Sequence, residues 1–369
     1  SAAGASVGLG NIWRFPYLAA KYGGGIFLLV YIILALTFGY TMIVAESALG
    51  RMTRKSPVGA FRSFAKGKKV GWLSFGGWIN AIIPVLIVPY YSVIGGWVVK
   101  YLFEYIRGNG SKLAEDGYFS GFISNGGATE ICFVIFCMFT LVIIYAGVQN
   151  GIERVSKIMM PILIVLSVII AIYSVTRPGA IEGVKYFLVP NVKNFSWMTV
   201  VAAMGQMFYS LSIAMGILVT FGSYMRKDTS IEDSTRNVEI FDTAIAMMAG
   251  LMIIPAVFAF SGGDPDTLQA GPSLMFITIP KVFANMGFGT AVGILFFVLV
   301  LFAAVTSSIA LTESAVSTFE DELGWGRKKA TVLTGVIMIA LGTLSCLGYG
   351  PLDFVKIIGM QFLDFFNYL

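Results

Sequence analysis

Stretches of about 18 residues without a charge recur along the chain, at 26–43, 158–175 and 287–304 among others, and each is long enough to cross a bilayer core of about 30 Å. Between them lie shorter polar segments rich in charge, Gly, Asn and Ser. The pattern predicts about nine complete membrane helices and the start of a tenth. Helices one to five are placed at 2–22, 26–51, 72–106, 130–145 and 152–175; helices six to nine at 196–224, 238–260, 287–319 and 329–347; helix ten begins near Leu352. Polar connections are expected at 107–127 and 176–195, and the long 261–286 connection is expected to form short helices over 273–285.

Two of these helices break the pattern. Helix one has Gly4, Gly8 and Gly10 in mid-span, followed by Asn11 and Arg14; helix six has Ser210 and Ser212 before Gly216. Glycine-interrupted spans at corresponding positions of two halves point to a transport site at mid-membrane. Five helices separate the two starts. Five is odd, so the second half enters from the opposite side. The predicted fold is an all-α polytopic membrane protein, one domain over 1–369, built as a five-plus-five inverted repeat with helices one and six broken. The first repeat covers about 1–176 and the second about 196–369.

Lysine and arginine crowd alternate loops: Arg51, Arg54, Lys55, Arg62, Lys66, Lys68 and Lys69, then Arg154 and Lys157, then Arg226, Lys227 and Arg236, then Arg327, Lys328 and Lys329. By the positive-inside rule, these loops and the start of helix one face the cytoplasm, in a plasma (inner) membrane.

Composition narrows the chemistry. Charged residues make up 12% and hydrophobic ones 57%, with mean hydropathy +0.82; soluble domains carry roughly 25% charged residues. The net charge of +5 lies in loops without a basic stripe interleaved with aromatics, so no nucleic-acid partner is expected. Histidine is absent, which removes the commonest acid/base and metal-ligand side chain. Cys132, Cys137 and Cys346 sit in apolar spans without a CxxC pair and read as small buried hydrophobes. No signal peptide is visible. The first residue falls within one predicted membrane segment and 365–369 within another, so both ends are expected to be incomplete.

The string GLGNIWRFPYLAAKYGGGIF, from Gly8 to Phe27, resembles the opening of the neurotransmitter:sodium symporter family. Further matches follow in order: Glu46 to Arg51, Tyr90-Tyr91, Gly151 to Pro161, Gln206 to Gly216, Thr306-Ser307-Ser308, and Glu320-Asp321-Glu322. The likeness covers nearly the whole chain and is closest to the bacterial amino-acid transporters of leucine-transporter-like fold.

The resemblance implies sodium-coupled amino-acid symport by alternating access, with two sodium sites. The amides near Leu9 and Gly10 and the Tyr91 hydroxyl would hold the substrate carboxylate, with Ser6 and Gly8 beside them. Ile87, Tyr91, Tyr209, Met215 and Leu311 would line a pocket for a large apolar side chain, aromatic ones included, with Ser210 close by and Ser212 and Ser308 near the rim. Sodium site one would use Asn11, Ser210, Asp242 and the Ser6 carbonyl. Site two would use carbonyls of Gly4, Val7 and Ala303 with the Thr306 and Ser307 hydroxyls. Oxygen donors suit a hard cation. Arg14 and Tyr209 resemble the outer gate, with Asp364 or Asn367 as the acidic-position partner. Tyr224 and Asp321 resemble parts of the inner gate, and Glu46 a structural carboxylate at the helix-six break.

Chloride-dependent relatives bind their anion through residues matching Tyr31, Gln206, Ser210 and a serine where this chain has Ala246. Asp242 lies one turn before Ala246 and would supply the counter-charge itself, so no chloride is expected. The alternatives are an amino-acid-binding membrane receptor or channel without coupled transport, or an enzyme relying on Asp242, Glu46 or Glu313. No paired carboxylates support the enzyme. The sequence sets neither the exact amino acid nor an oligomeric state.

Overall fold

The computed structural model describes residues 7–65, 72–263 and 271–368. Within them the chain is helical, with two isolated bridges in place of a sheet. A backbone in hydrocarbon has no water to bond its N–H and C=O groups, and helices satisfy both within one segment. Seven helices are long and apolar enough to cross a membrane: Gly25–Thr53, Leu73–Ile106, Gly126–Tyr145, Val148–Val175, Ile231–Ser261, Gly289–Leu323 and Arg327–Leu347. These are the predicted helices two, three, four, five, seven, eight and nine. Of two further spans, helix six is divided, and helix one is described from Val7 onward. Helix one runs through Gly10–Arg14, a π-helical turn, and Phe15–Lys21; helix six is divided into Trp197–Ser210 and Ile217–Tyr224. This is a multi-pass membrane protein.

Burial separates the centre of the bundle from its rim. Helices three and eight lie against each other, and 67% of each apolar window is buried inside the protein, against 39% for helices two, four and five. The outer helices therefore keep most of their apolar surface for lipid. At the end of the bundle opposite the Arg51 loop, Trp97, Tyr101, Phe119, Phe276 and Phe297 form an aromatic cluster with rings mainly edge to face. The connecting helix Leu274–Ala284 is docked there by the Tyr101 hydroxyl, which donates to the Phe276 carbonyl at 2.8 Å. That helix falls within the predicted 273–285.

Several boundaries differ from the hydropathy reading, and three of them have a local reason. Helix seven begins at Ile231, ahead of the predicted 238, because Ser230 caps it through the Asp233 amide and Glu232 and Asp233 fill its first turn. Helix four begins at Gly126 because the Asn125 side chain accepts from the Ala128 amide. Helix ten, expected from Leu352, starts at Phe362. The intervening 348–361 segment runs through turns, with Ile358 and Gly359 at positive φ.

Helix two packs against the second half of helix six with almost no side chain between them. A Cβ at Gly50 would lie 1.9 Å from the Val219 carbonyl oxygen, and one at Gly222 would lie 2.5 Å from that of Ser47. Membrane helices associate through such small-residue contacts. Arg51 adds hydrogen bonds to the Lys227 and Thr229 carbonyls at 2.7 and 2.5 Å, and Arg54 to those of Ser223 and Met225. Gly50→Ala must push two backbones apart and is expected to destabilise the protein by about 1–3 kcal/mol. Melting of the detergent-solubilised protein should then begin at lower temperature than wild type; an unchanged melt would show that the helices do not need this approach.

Candidate functional site

Helix six stops at Ser210 because the backbone turns left-handed. Ser212, Ala214 and Gly216 have φ of 57°, 61° and 69°. Only Gly216 adopts that geometry at little cost; for the other two it costs about 1–2 kcal/mol each, and such strain collects at functional sites. Gly216 has a second reason to lack a side chain: a Cβ would lie 2.8 Å from the Asn80 carbonyl oxygen. The unwound stretch is held from outside by Glu46, whose Oε1 accepts from the Ala214 amide at 2.8 Å. In helix one, Val7 and Gly8 are non-helical. The Gly8 amide donates to Asn11 Oδ1 at 3.0 Å and the Leu9 amide to the Tyr91 hydroxyl at 3.2 Å.

Between the two interruptions lies a cavity of about 380 Å³. Gly8, Leu9, Gly10 and Asn11 form one wall, and Tyr209, Ser210, Ser212, Met215 and Ile217 another. Ile87 and Tyr91 of helix three and Ser307 and Leu311 of helix eight close it. Among the described residues no charged side chain lines it. Glycine is required at two of its positions: a Cβ on Gly8 would lie 2.2 Å from Ser307 Oγ, and one on Gly10 would lie 2.5 Å from the Tyr209 ring.

Beside the cavity, helices one, two, six and seven meet at one carboxylate. Asp242 is fully buried. Its Oδ1 accepts from Asn11 Nδ2 at 2.7 Å and from Ser210 Oγ at 2.6 Å, and its Oδ2 accepts from the Tyr31 hydroxyl at 2.7 Å. Asn11 Nδ2 also donates to Ser210 Oγ at 2.9 Å. Gln206 Nε2 donates to the Gly10 carbonyl at 3.1 Å, and Ala246 is buried nearby on helix seven. A second group of oxygens lies between helices one and eight. The Val7 carbonyl accepts from Thr306 Oγ1 at 3.2 Å and Ser307 Oγ at 3.1 Å, while Thr306 also donates to the Ala303 carbonyl at 3.1 Å. Gly4 and Ser6, expected in these two groups, lie outside the described residues.

Some expected placements differ. Ser308 is not at the cavity rim: it is buried toward helix four, accepting from Thr140 Oγ1 at 3.3 Å, and its neighbour Ser307 takes the lining position. One residue along a helix turns a side chain by about 100°, enough to exchange faces. Tyr224 and Asp321 do not meet each other. The Tyr224 hydroxyl donates to Glu313 Oε1 at 2.7 Å, and Asp321 accepts from the Ser56 amide at 2.5 Å. Glu313, fully buried, is gripped by Arg327 at 2.9 and 2.5 Å. This cluster was not assigned to a gate from sequence, although an acid inside helix eight was its visible signal. Ile217 of the cavity was missed as well; nothing in an apolar span marks which isoleucine faces a pocket.

Above the cavity a wider vestibule of about 1660 Å³ is lined by Arg14, Tyr209 and Asp364 among others. The Arg14 guanidinium lies 5.0 Å from the centre of the Tyr209 ring and forms no ion pair among the described residues. Asp364 is exposed; the Asn367 side chain lies outside the described residues.

A spanning helix unwound part-way along its length beside a cavity is an arrangement of secondary transporters. The model of the sodium:neurotransmitter symporter family matches residues 1–111 and 118–368. The chain is 36% identical, over 99% of its length and 80% of the relative's, to the uncharacterized sodium-dependent transporter YhdH of Bacillus subtilis (strain 168). It is 34% identical, over 99% of its length and 82% of the relative's, to an uncharacterized sodium-dependent transporter of Haemophilus influenzae. The crystal structure of MhsT in complex with L-phenylalanine superposes with a TM-score of 0.88 at 39% identity, covering all of this chain and 83% of that one. This chain belongs to the sodium:neurotransmitter symporter family.

Glu46 gives this geometry a test independent of transport. Replacing Glu46 by alanine leaves the part-buried Ala214 amide without this partner, at a cost of about 1 kcal/mol. Glu46→Ala should therefore lower the melting temperature more than Glu46→Gln, whose amide oxygen can still accept. Equal melting of the two would show that the bond does not hold the break.

Proposed function

We propose that the protein carries an amino acid with an apolar side chain together with sodium into the cell, without chloride. The observation that carries this reading is Asp242, a buried carboxylate joined to Asn11 and Ser210 at the wall of a cavity that two helix interruptions create.

A zwitterion in a membrane needs cover for both charges. Unpaired amides at the start of a half-helix carry partial positive charge, and unpaired carbonyls at an end carry partial negative charge. The Leu9 and Gly10 amides and the Tyr91 hydroxyl would take the substrate carboxylate, and carbonyls of helices one and six the ammonium. The side chain would lie among Ile87, Tyr209, Met215, Ile217 and Leu311. A charged side chain buried there would stay unpaired at a cost of several kcal/mol. The structure of MhsT with L-phenylalanine supports an aromatic side chain within the accepted range.

Sodium is the co-substrate. Asp242 Oδ1 and Ser210 Oγ lie 2.6 Å apart, and the Asn11 amide, turned by half a rotation, would add its oxygen to them, which fits a hard cation at site one. The Val7 and Ala303 carbonyls with Thr306 and Ser307 fit a second. Tyr31, an anion ligand in chloride-dependent relatives, donates instead to Asp242, so the carboxylate can serve as ligand and fixed counter-charge together. Arg14 and Tyr209 would close the outer side, and the groups around Tyr224 and Asp321 the inner. The end carrying Arg51 and Arg54 faces the cytoplasm of a plasma membrane.

Uptake by the full-length protein in proteoliposomes should fall to background when choline replaces sodium, and full uptake in choline would sink the symport reading. Uptake should persist when gluconate replaces chloride. Asp242→Asn should raise the sodium concentration for half-maximal uptake about tenfold, equivalent to about 1.4 kcal/mol; an unchanged sodium dependence would remove Asp242 from the site. Aromatic and branched amino acids should displace the label, whereas displacement by glutamate or glycine alone would overturn the apolar assignment.

A further inference from the structure

Below Asp242, helix seven carries two more buried oxygens. Thr235 and Glu239 are 1% and 4% exposed, and Thr235 Oγ1 and Glu239 Oε1 have no hydrogen-bond partner among the described residues. Residues four apart on a helix are neighbours on one face, and Asp242 is three further along that same face. The three form a polar track that rises about 10 Å from Thr235 to Asp242, with the rest of the buried face apolar. Thr235 also lines a cavity of about 1050 Å³ between helix two, the second half of helix six and helix seven. Ser47, Met225, Thr229 and Ser234 line it too. Arg51 bonds to the Thr229 carbonyl, so the cavity opens at the basic end of the bundle.

Two unpartnered oxygens of this kind need an explanation. Buried polar groups are satisfied in nearly all native structures, and an acid within a membrane span is expensive and usually functional. Glu239 forms no ion pair with a lysine or arginine among the described residues. A threonine hydroxyl and a carboxylate at this spacing offer a hard cation the oxygen donors it prefers, on the side of Asp242 toward the wide cavity.

We propose that Thr235 and Glu239 form a transient sodium site through which the ion bound at Asp242 passes to the cytoplasmic cavity. This rests on sodium symport and on the basic end facing the cytoplasm. The Glu239 carboxylate draws the ion one turn down helix seven, away from Asn11 and Ser210. Thr235 then hands it to water in the cavity. The ion meets an oxygen donor at each step, a carboxylate at the first two and a hydroxyl at the last, so it never crosses apolar protein unaccompanied.

The full-length protein in proteoliposomes separates release from binding. Net uptake driven by external sodium requires sodium to leave on the inner side. Exchange of labelled for unlabelled substrate, with sodium equal on both sides, does not. Glu239→Gln, which keeps the side chain's size, is expected to slow net uptake about tenfold while exchange stays within about twofold of wild type. Thr235→Val should slow net uptake about threefold with the same selectivity. Net uptake unchanged in these variants, or net uptake and exchange falling together, overturns the proposal. If Glu239→Gln does not fold, Thr235→Val decides by the same two measurements. Wild-type uptake that ignores sodium would instead overturn the symport reading, before either variant is measured.

Discussion

An ionised carboxylate cannot sit alone in a helix bundle surrounded by lipid, and the arrangement around Asp242 follows from that constraint. Burial without partners costs several kcal/mol, so the bundle must bring donors to it. It does so from three other helices: Asn11 from helix one, Tyr31 from helix two and Ser210 from helix six. Asn11 follows the non-helical Val7-Gly8 pair and Ser210 closes the first half of helix six, so the carboxylate and the two interruptions hold one another in place.

The same constraint explains why so many small residues surround the site. Tyr209 lies against Gly10 and Ser307 against Gly8, where a Cβ would meet them at 2.5 and 2.2 Å. The strain in Ser212 and Ala214 persists because Glu46 fixes the Ala214 amide from helix two and Gly216 completes the turn without a side chain. Oxygen atoms that might have been satisfied by an ordinary helix ladder are thereby turned toward a small volume near the middle of the bundle.

Much of this was legible in the sequence because hydropathy and glycine spacing are local signals. Uncharged stretches located nine spans, and Gly8, Gly10 and Gly216 marked the interruptions. The family likeness brought Asn11, Ser210 and Asp242 into one group, and the fold joins them by hydrogen bonds. What was not legible depended on packing direction. Hydropathy cannot show which of Ser307 and Ser308 faces the cavity, since they differ by one step of rotation. It also cannot show that Tyr224 turns to Glu313, because Arg327, the residue that makes a buried Glu313 tolerable, sits in a loop-side position. The polar first turns of helices four and seven were missed because side-chain caps, not apolar period, begin them.

The glycine contact between helix two and the second half of helix six has a mechanical meaning. With the Gly50 and Gly222 backbones nearly touching, Glu46 bonded at one end and Arg51 and Arg54 at the other, the half-helix has no slack relative to its neighbour. The two are held as one unit, and the 211–216 turn, tied to helix two through Ala214, joins that unit to the first half of helix six. A tilt that opens the basic end therefore cannot be absorbed within that unit. It would reach the cavity wall at Ser212 and Met215, which ties the shape of the cavity to the position of a helix facing lipid.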